Sequence, residues 1–304
     1  MPQAWNQALV RIASAKDPNA LPTDDRVLFY DDRTITIYDK FAKAQYHFLV
    51  LPRIPFKLAN GRDKGKPAQA PPALSAANGK LTLGSTSSNS VPASHLRNIS
   101  ALMTSPYVVE VLAAVREASD RVLEHIRDDM QRKHGVTWSI ERAFHAVPSM
   151  EHLHLHVTSM DLLSDRLKHK KHYLSFVPTV DFAQRLDDVD KMVAEGRQAL
   201  PKSERAYENS LKGPLASHHT GQRFKFFPEL KAHLESHWRD TVLAQGETGP
   251  ETHAESTASK RAASIGAEEH STSRRKVESH QPESTSGPNA TESDTDEEPA
   301  LPLR

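Results

Sequence analysis

Residues 152–158 read His152-Leu153-His154-Leu155-His156-Val157-Thr158, with an imidazole at every second position and aliphatic side chains between. A repeat of two is that of an extended strand. It sends the three imidazoles to one face and Leu153, Leu155 and Val157 to the other. A chain carrying this stretch needs a sheet with an apolar core on one side and a histidine-lined face on the other. Imidazole forms strands poorly, and three on one buried face are costly unless each finds a polar partner. Three readings stay open from these residues alone: a solvated strand, a zinc site of the three-histidine kind, or a set in which one imidazole attacks while others carry protons. A fourth histidine, His145, lies seven residues upstream, beyond Pro148. No further ligand is evident in the stretch, which favours imidazole chemistry over a metal.

The remaining pattern predicts an α+β chain. Residues 5–15 read as a short amphipathic helix with Trp5, Leu9 and Ile12 at helical spacing. Two strand-like runs, 27–30 and 34–38, are joined by the turn formers Asp31 and Asp32, and residues 48–51 continue the β pattern. Residues 54–92 are rich in Pro, Gly, Ala, Ser and Asn and read as a disordered insertion. Ser105 and Pro106 look like the N-cap and first position of a long helix. Val109, Leu112, Val115, Val122, Ile126 and Met130 form its stripe and Gly135 its stop. A strand over 137–147 leads to the histidines, and a helix is predicted over 180–200. Lys168, Lys170 and Lys171, with His169 and His172, make a basic run interleaved with Tyr173 and Phe176. So placed, behind the histidines, it reads as a phosphate-binding surface.

The 304 residues suffice for one or two domains. The absence of cysteine excludes disulfides and thiol nucleophiles. A formal charge of zero hides an asymmetry: from Gly246 onward there are 6 basic and 12 acidic residues, which leaves the first 245 with 33 basic and 27 acidic. A basic folded part fits a polyanionic partner. Residues 243–304 read as a disordered tail, rich in Ser, Thr, Glu and Pro. Within the tail, Lys260-Arg261 and Arg274-Arg275-Lys276 resemble a bipartite nuclear localisation signal, so the nucleus is the expected compartment, with the cytoplasm as a second. No signal-peptide-type run or membrane-spanning stretch is expected, and no membrane partner.

The 152–158 stretch resembles the histidine-triad (HIT) motif. Wider matches make the chain similar to the aprataxin family, which removes AMP from 5′-adenylated DNA. The segment from His145 through Ser149, Met150 and His152 resembles the aprataxin approach to the triad. The stretch from Asp39 through Lys43, Gln45 and His47 to Pro52 resembles the family's nucleotide-site strand. Residues 167–176 resemble its basic segment, and residues 230–238, with His233 and His237, its zinc-finger helix. The similarity covers roughly residues 1–53 and 91–242.

The resemblance implies a HIT-like antiparallel sheet with packed helices over 1–180, a small zinc-finger-like helical DNA-binding module over 181–242, and adenylated DNA ends or RNA–DNA junctions as partners. It implies His154 as nucleophile, with His152, His156 and His145 in support and His145 as the acid for the leaving group. Asp39, Lys43, His47, Ser149 and Met150 would hold the nucleotide, AMP being the product. The N-terminal helix would either pack on the core or act as a wedge on the DNA end with Trp5 stacking there, and Lys168, Lys170 and Lys171 would meet the DNA backbone. Catalysis by this route requires no cofactor. The family's finger carries two cysteines, and its spacing places Ser217 and Thr220 at those positions. His233 and His237 remain as zinc ligands, with His218 and His219 as alternatives, so zinc is expected at less than one per chain.

Overall fold

The computed structural model describes residues 5–59, 73–77, 80–84 and 89–247. In chain order the strands are β1 (Val27–Tyr30), β2 (Thr34–Tyr38), β3 (His47–Pro52), β4 (Phe56–Lys57), β5 (Ala73–Ala77), β6 (Lys80–Gly84), β7 (Ser90–Val91), β8 (Ile140–His145), β9 (Leu155–Ser159) and β10 (Ala183–Arg185). The helices are α1 (Ala8–Ala13), α2 (Ile99–Met103), α3 (Val108–His134), α4 (Lys170–Leu174), α5 (Leu186–Ala194), α6 (Glu204–Ser210), α7 (Phe227–His237) and α8 (Ala244–Glu247). A wider-wound turn, Trp238–Leu243, joins the last two.

Six strands form one sheet in the order β1-β2-β3-β9-β8-β10, every neighbouring pair antiparallel. Residues directly opposite in such a sheet share a face. Phe48 lies opposite Val157 and Val50 opposite Leu155, and these four face the long helix α3. Val111, Leu112, Val115, Val122, Ile126 and Met130 bury the apolar stripe of α3 against them. On the other face Leu49 lies opposite His156, and His156 opposite Ala143. That face carries the site. Towards β2 it is covered by α1, whose Leu9, Ile12 and Ala13 pack on Ile35, Ile37, Leu49 and Leu51.

Several elements depart from their sequence pattern for local reasons. The long helix starts at Val108 because the Ser105 hydroxyl accepts from the Tyr107 amide and closes a turn instead of capping a helix. Val109 is then left 68% exposed, outside the stripe. The predicted helix over 180–200 begins only at Leu186, since Ala183–Arg185 pair with β8 as an edge strand. The predicted insertion contains strands: at its ends Phe56 is buried and pairs with Val91, and between them β5 pairs with β6. Its remaining residues, and the tail beyond 247 with its basic clusters, lie outside the described residues. No described helix is long and apolar enough to cross a membrane.

The segment after β9 shares one core with the C-terminal module. Met160, Leu162, Tyr173, Leu174 and Phe182 pack with Tyr207, Leu211, Leu215, Leu230 and Leu234. A boundary at 180/181 therefore does not separate packing units, because β10 completes the sheet and α5 packs on α3. A second contact closes the far end. His134, Trp138 and Trp238 meet edge to face, with ring centroids 5.4–5.8 Å apart. Gly135 ends α3 in the left-handed conformation, φ 66°, and the Gly246 backbone lies so close to the His134 carbonyl that a Cβ would overlap it.

Candidate active site

The three imidazoles do not ride one continuous strand. His152 has φ 85°, a left-handed conformation that a residue with Cβ adopts only under constraint, and β9 begins at Leu155. The bend has a use. The His152 carbonyl accepts from Nδ1 of His154 at 2.8 Å, while Nε2 of His152 donates to the Pro52 carbonyl at 2.6 Å. The Leu153 amide is held by the Leu96 carbonyl at 2.7 Å. His152 thus orients His154 through its backbone, and its side chain anchors the bend to β3.

These contacts define which nitrogens carry protons. With Nδ1–H given to a carbonyl, a neutral His154 keeps its lone pair on Nε2. Burial lowers its pKa, so the neutral form dominates near neutral pH. His47 accepts from the Lys43 amide at Nδ1, 3.1 Å, so its proton sits on Nε2, which lies 2.9 Å from Nδ1 of His156. His156 therefore carries its own proton on Nε2, a buried N–H with no partner among the described residues. Burial pushes His47 down and His156 well below the ordinary histidine value. His145 is driven to about 3 and His152 to about 4 by the same desolvation. Nε2 of His145 is also buried and unpaired. Its ring lies 4.2 Å from that of His156, centroid to centroid, and the His154 ring lies 4.9 Å from the His156 ring.

Phe176 closes the group. Its ring stands edge-on to His47, His145 and His156, with centroids 4.9–5.3 Å apart. The sequence pattern offers Phe176 and Tyr173 as aromatics interleaved with a DNA surface; both are buried instead. Asp39 reaches His47 Nε2 at 3.4 Å and accepts from the Phe41 amide at 2.6 Å. Among the described residues, Asp39, His47 and His156 are a group whose donor atoms converge closely enough for a cation. The His47–His156 hydrogen bond already satisfies two of those atoms.

The other expected residues are spread around this centre. Lys43 Nζ donates to the Arg166 carbonyl at 3.3 Å, which ties the loop before β3 to the basic segment. Lys168 and Lys171 are exposed, and Lys170 donates to the Lys212 carbonyl at 3.4 Å. Ser149 is exposed, whereas Met150 packs on the α1 cluster. Trp5 is 63% exposed at the first turn, and the neighbouring Asn6 carbonyl accepts from the Glu151 amide at 2.8 Å. The N-terminal turn is thereby fastened to the loop before the triad.

Sequence reasoning missed Asp161. Its buried carboxylate accepts from the Gln45 and Leu163 amides, Ser159 Oγ and Trp138 Nε1, joining the loop before β3 to the end of β9. Burial raises its pKa despite those donors. An acidic residue two positions past a buried strand was the available signal. His172 belongs to a charged run in the sequence, yet desolvation foremost, with the charges of Lys43, His169, Lys171 and Lys168, lowers its pKa to about 4.

In the C-terminal module, Nε2 of His233 is hydrogen-bonded to Ser217 Oγ at 3.1 Å and to Thr220 Oγ1 at 3.2 Å. His237 stacks on His219, centroids 4.4 Å apart. Leu230 and Leu234 are buried and Phe224 and Phe227 pack on the same cluster, but Phe226 is 50% exposed.

Comparison with known proteins covers both halves. The family model described as "Scavenger mRNA decapping enzyme C-term binding" matches residues 90–172, and "C2HE / C2H2 / C2HC zinc-binding finger" matches 179–240. Aprataxin of Danio rerio is 30% identical over 233 residues, 77% of this chain and 53% of that protein. Aprataxin of Gallus gallus is 28% identical over 234 residues, 77% and 55% respectively. The chain thus spans about half the length of these curated relatives. The solved structure of the aprataxin ortholog Hnt3 in complex with DNA matches with a TM-score of 0.51 at 19% identity, covering 79% of this chain and all of that one. Hnt3 in complex with DNA and guanosine gives 0.51 at 22% identity, covering 78% and 97%. At that identity the likeness is one of fold. Together the matches to sheet and finger identify the chain as an aprataxin-like member of the histidine-triad family with a C-terminal module of the zinc-finger class.

Proposed function

We propose that the chain is a DNA 5′-adenylate hydrolase that removes AMP from abortive ligation intermediates at strand breaks. The observation that carries this reading is that burial keeps His154 neutral while its hydrogen bond to the His152 carbonyl leaves the lone pair on Nε2. In the first step Nε2 attacks the AMP phosphorus. A P–N bond forms, the bond to the bridging oxygen breaks, and the DNA leaves as a 5′-phosphate with the electron pair. Water then attacks the adenylyl-histidine, the P–N bond breaks, AMP departs and a proton passes to solvent. Splitting one displacement into two lowers the barrier to each.

The unpaired N–H of His156 would donate to a phosphoryl oxygen as charge shifts onto it. His145 would serve the leaving group. Burial holds its pKa low, and the negative charge of a bound substrate raises it by favouring the imidazolium. Asp39 would hold the ribose hydroxyls and Lys43, Ser149 and Met150 the rest of the nucleotide. Trp5 and Lys168, Lys170 and Lys171 would meet the DNA end. Relatives solved with DNA support a nucleic-acid substrate, and the basic tail clusters support a nuclear site of action.

The match to a scavenger decapping enzyme model favours a second reading, a hydrolase of small nucleotide conjugates. Incubation with a 5′-adenylated oligonucleotide and, side by side, a dinucleoside polyphosphate separates the two. Preferred release of AMP from the oligonucleotide supports the first reading; preferred cleavage of the small conjugate overturns it.

A further inference from the structure

We propose that the finger of this chain is held by a hydrogen-bonded knot where its class uses zinc, and that His218 fastens this knot to the catalytic sheet. A structural zinc needs four donors, drawn from thiolates, imidazole nitrogens and carboxylates, converging on one point. Three features of the module work against that. First, the hydroxyls of Ser217 and Thr220 are neutral oxygens already in use. Ser217 Oγ accepts from the His219 and Thr220 amides, both at 3.3 Å, and Thr220 Oγ1 accepts from the Gln222 amide at 3.3 Å. Both hydroxyls also meet Nε2 of His233. The turn that would wrap a metal wraps an imidazole nitrogen instead.

Second, His218 has no nitrogen to spare. Its Nε2 donates to the Met160 carbonyl at 2.8 Å, and its Nδ1 lies 2.8 Å from the Tyr173 oxygen, whose single proton is shared between that nitrogen and the Ala216 carbonyl at 2.9 Å. The same Tyr173 oxygen accepts from the His218 amide at 2.9 Å. Met160 directly follows β9, and Tyr173 lies on α4. One side chain therefore joins the finger turn to the end of the triad strand and to the helix bearing Lys170 and Lys171. Third, His219 and His237 are stacked, their planes only 24° apart. An imidazole binds a metal in the plane of its ring, so two rings lying face to face do not point their lone pairs at a common centre. The His donors of the finger consequently do not form a converging set among the described residues, in contrast to Asp39, His47 and His156.

The test uses the full chain, expressed and purified with zinc present, and its readouts do not involve catalysis. Elemental analysis is expected to give far less than one zinc per chain, with the melting temperature unmoved by chelator or by added zinc. Ser217→Ala with Thr220→Val is expected to lower Tm by about 2–4 °C for each hydrogen bond lost, again without zinc dependence. Should that variant fail to fold, Tyr173→Phe, which removes only the hydroxyl, is expected to lower Tm and to raise hydrogen exchange at 216–220. One zinc per chain that is lost in His233→Ala, or a Tm raised by zinc, overturns the proposal. So does an unchanged Tm in both the hydroxyl-free and Tyr173→Phe variants.

Discussion

Nε2 of His47 lies 2.9 Å from Nδ1 of His156, and the Lys43 amide on the far side of His47 decides which of the two nitrogens holds the proton. A backbone N–H can only donate, so it forces the His47 proton onto Nε2 and, in turn, the His156 proton onto the Nε2 that remains unpaired. The protonation of a triad imidazole is thereby set from a loop outside its own strand.

Replacing His47 tests that chain. His47→Phe keeps a ring of similar size but leaves Nδ1 of His156 without its donor. Its kcat is expected to fall by about 10²–10⁴-fold, the usual share of a proton-positioning group, with KM changing much less. A loss confined to KM would make His47 a binding residue only.

Acid should destabilise the fold through the same histidines. Their pKa values lie below the ordinary 6.5, at about 3 for His145 and about 4 for His152, so the unfolded chain binds more protons as pH falls. The stabilisation due to their neutral forms is complete above about pH 6.5 and is lost progressively as pH drops towards those values. Urea unfolding at pH 7 and pH 5 is expected to show lower stability at pH 5, with His152→Asn reducing the difference. Equal stability at both pH values would contradict the assignment.

Much of this arrangement was legible in the sequence, because side chains that face a core obey the period of their element. The alternation from Leu155 to Val157, the strands around Asp31–Asp32 and the stripe of α3 apart from Val109 are of that kind. What stayed hidden depends on contacts between distant segments. The left-handed turn at His152 arises from bonds to Pro52 and His154. The burial of Tyr173 and Phe176 within a basic run, and the role of Asp161, likewise need partners that local spacing does not reveal. Ser105-Pro106 misled because a serine before proline closes a turn as readily as it caps a helix.

If Lys170 and Lys171 meet DNA phosphates, salt should weaken binding less once both are neutralised. The double change to Gln is expected to reduce the log–log salt slope by about one to two units. An unchanged slope would return these lysines to an ordinary solvated surface.

The tail is expected to address the protein and not to shape its site. Since Gly246 packs on the end of α3, a shortened chain should end after residue 252. It is expected to keep its activity and lose nuclear enrichment when expressed as a fluorescent fusion. Unaltered localisation would discard the bipartite signal.

The most direct test of the central claim is made with a 5′-adenylated oligonucleotide labelled in its AMP. The parent protein is expected to release AMP and, on rapid quenching, to carry the label covalently. His154→Ala should do neither while still binding the DNA. AMP release by His154→Ala within about tenfold of the parent rate, or a covalent label that survives the substitution, would contradict His154 as the nucleophile.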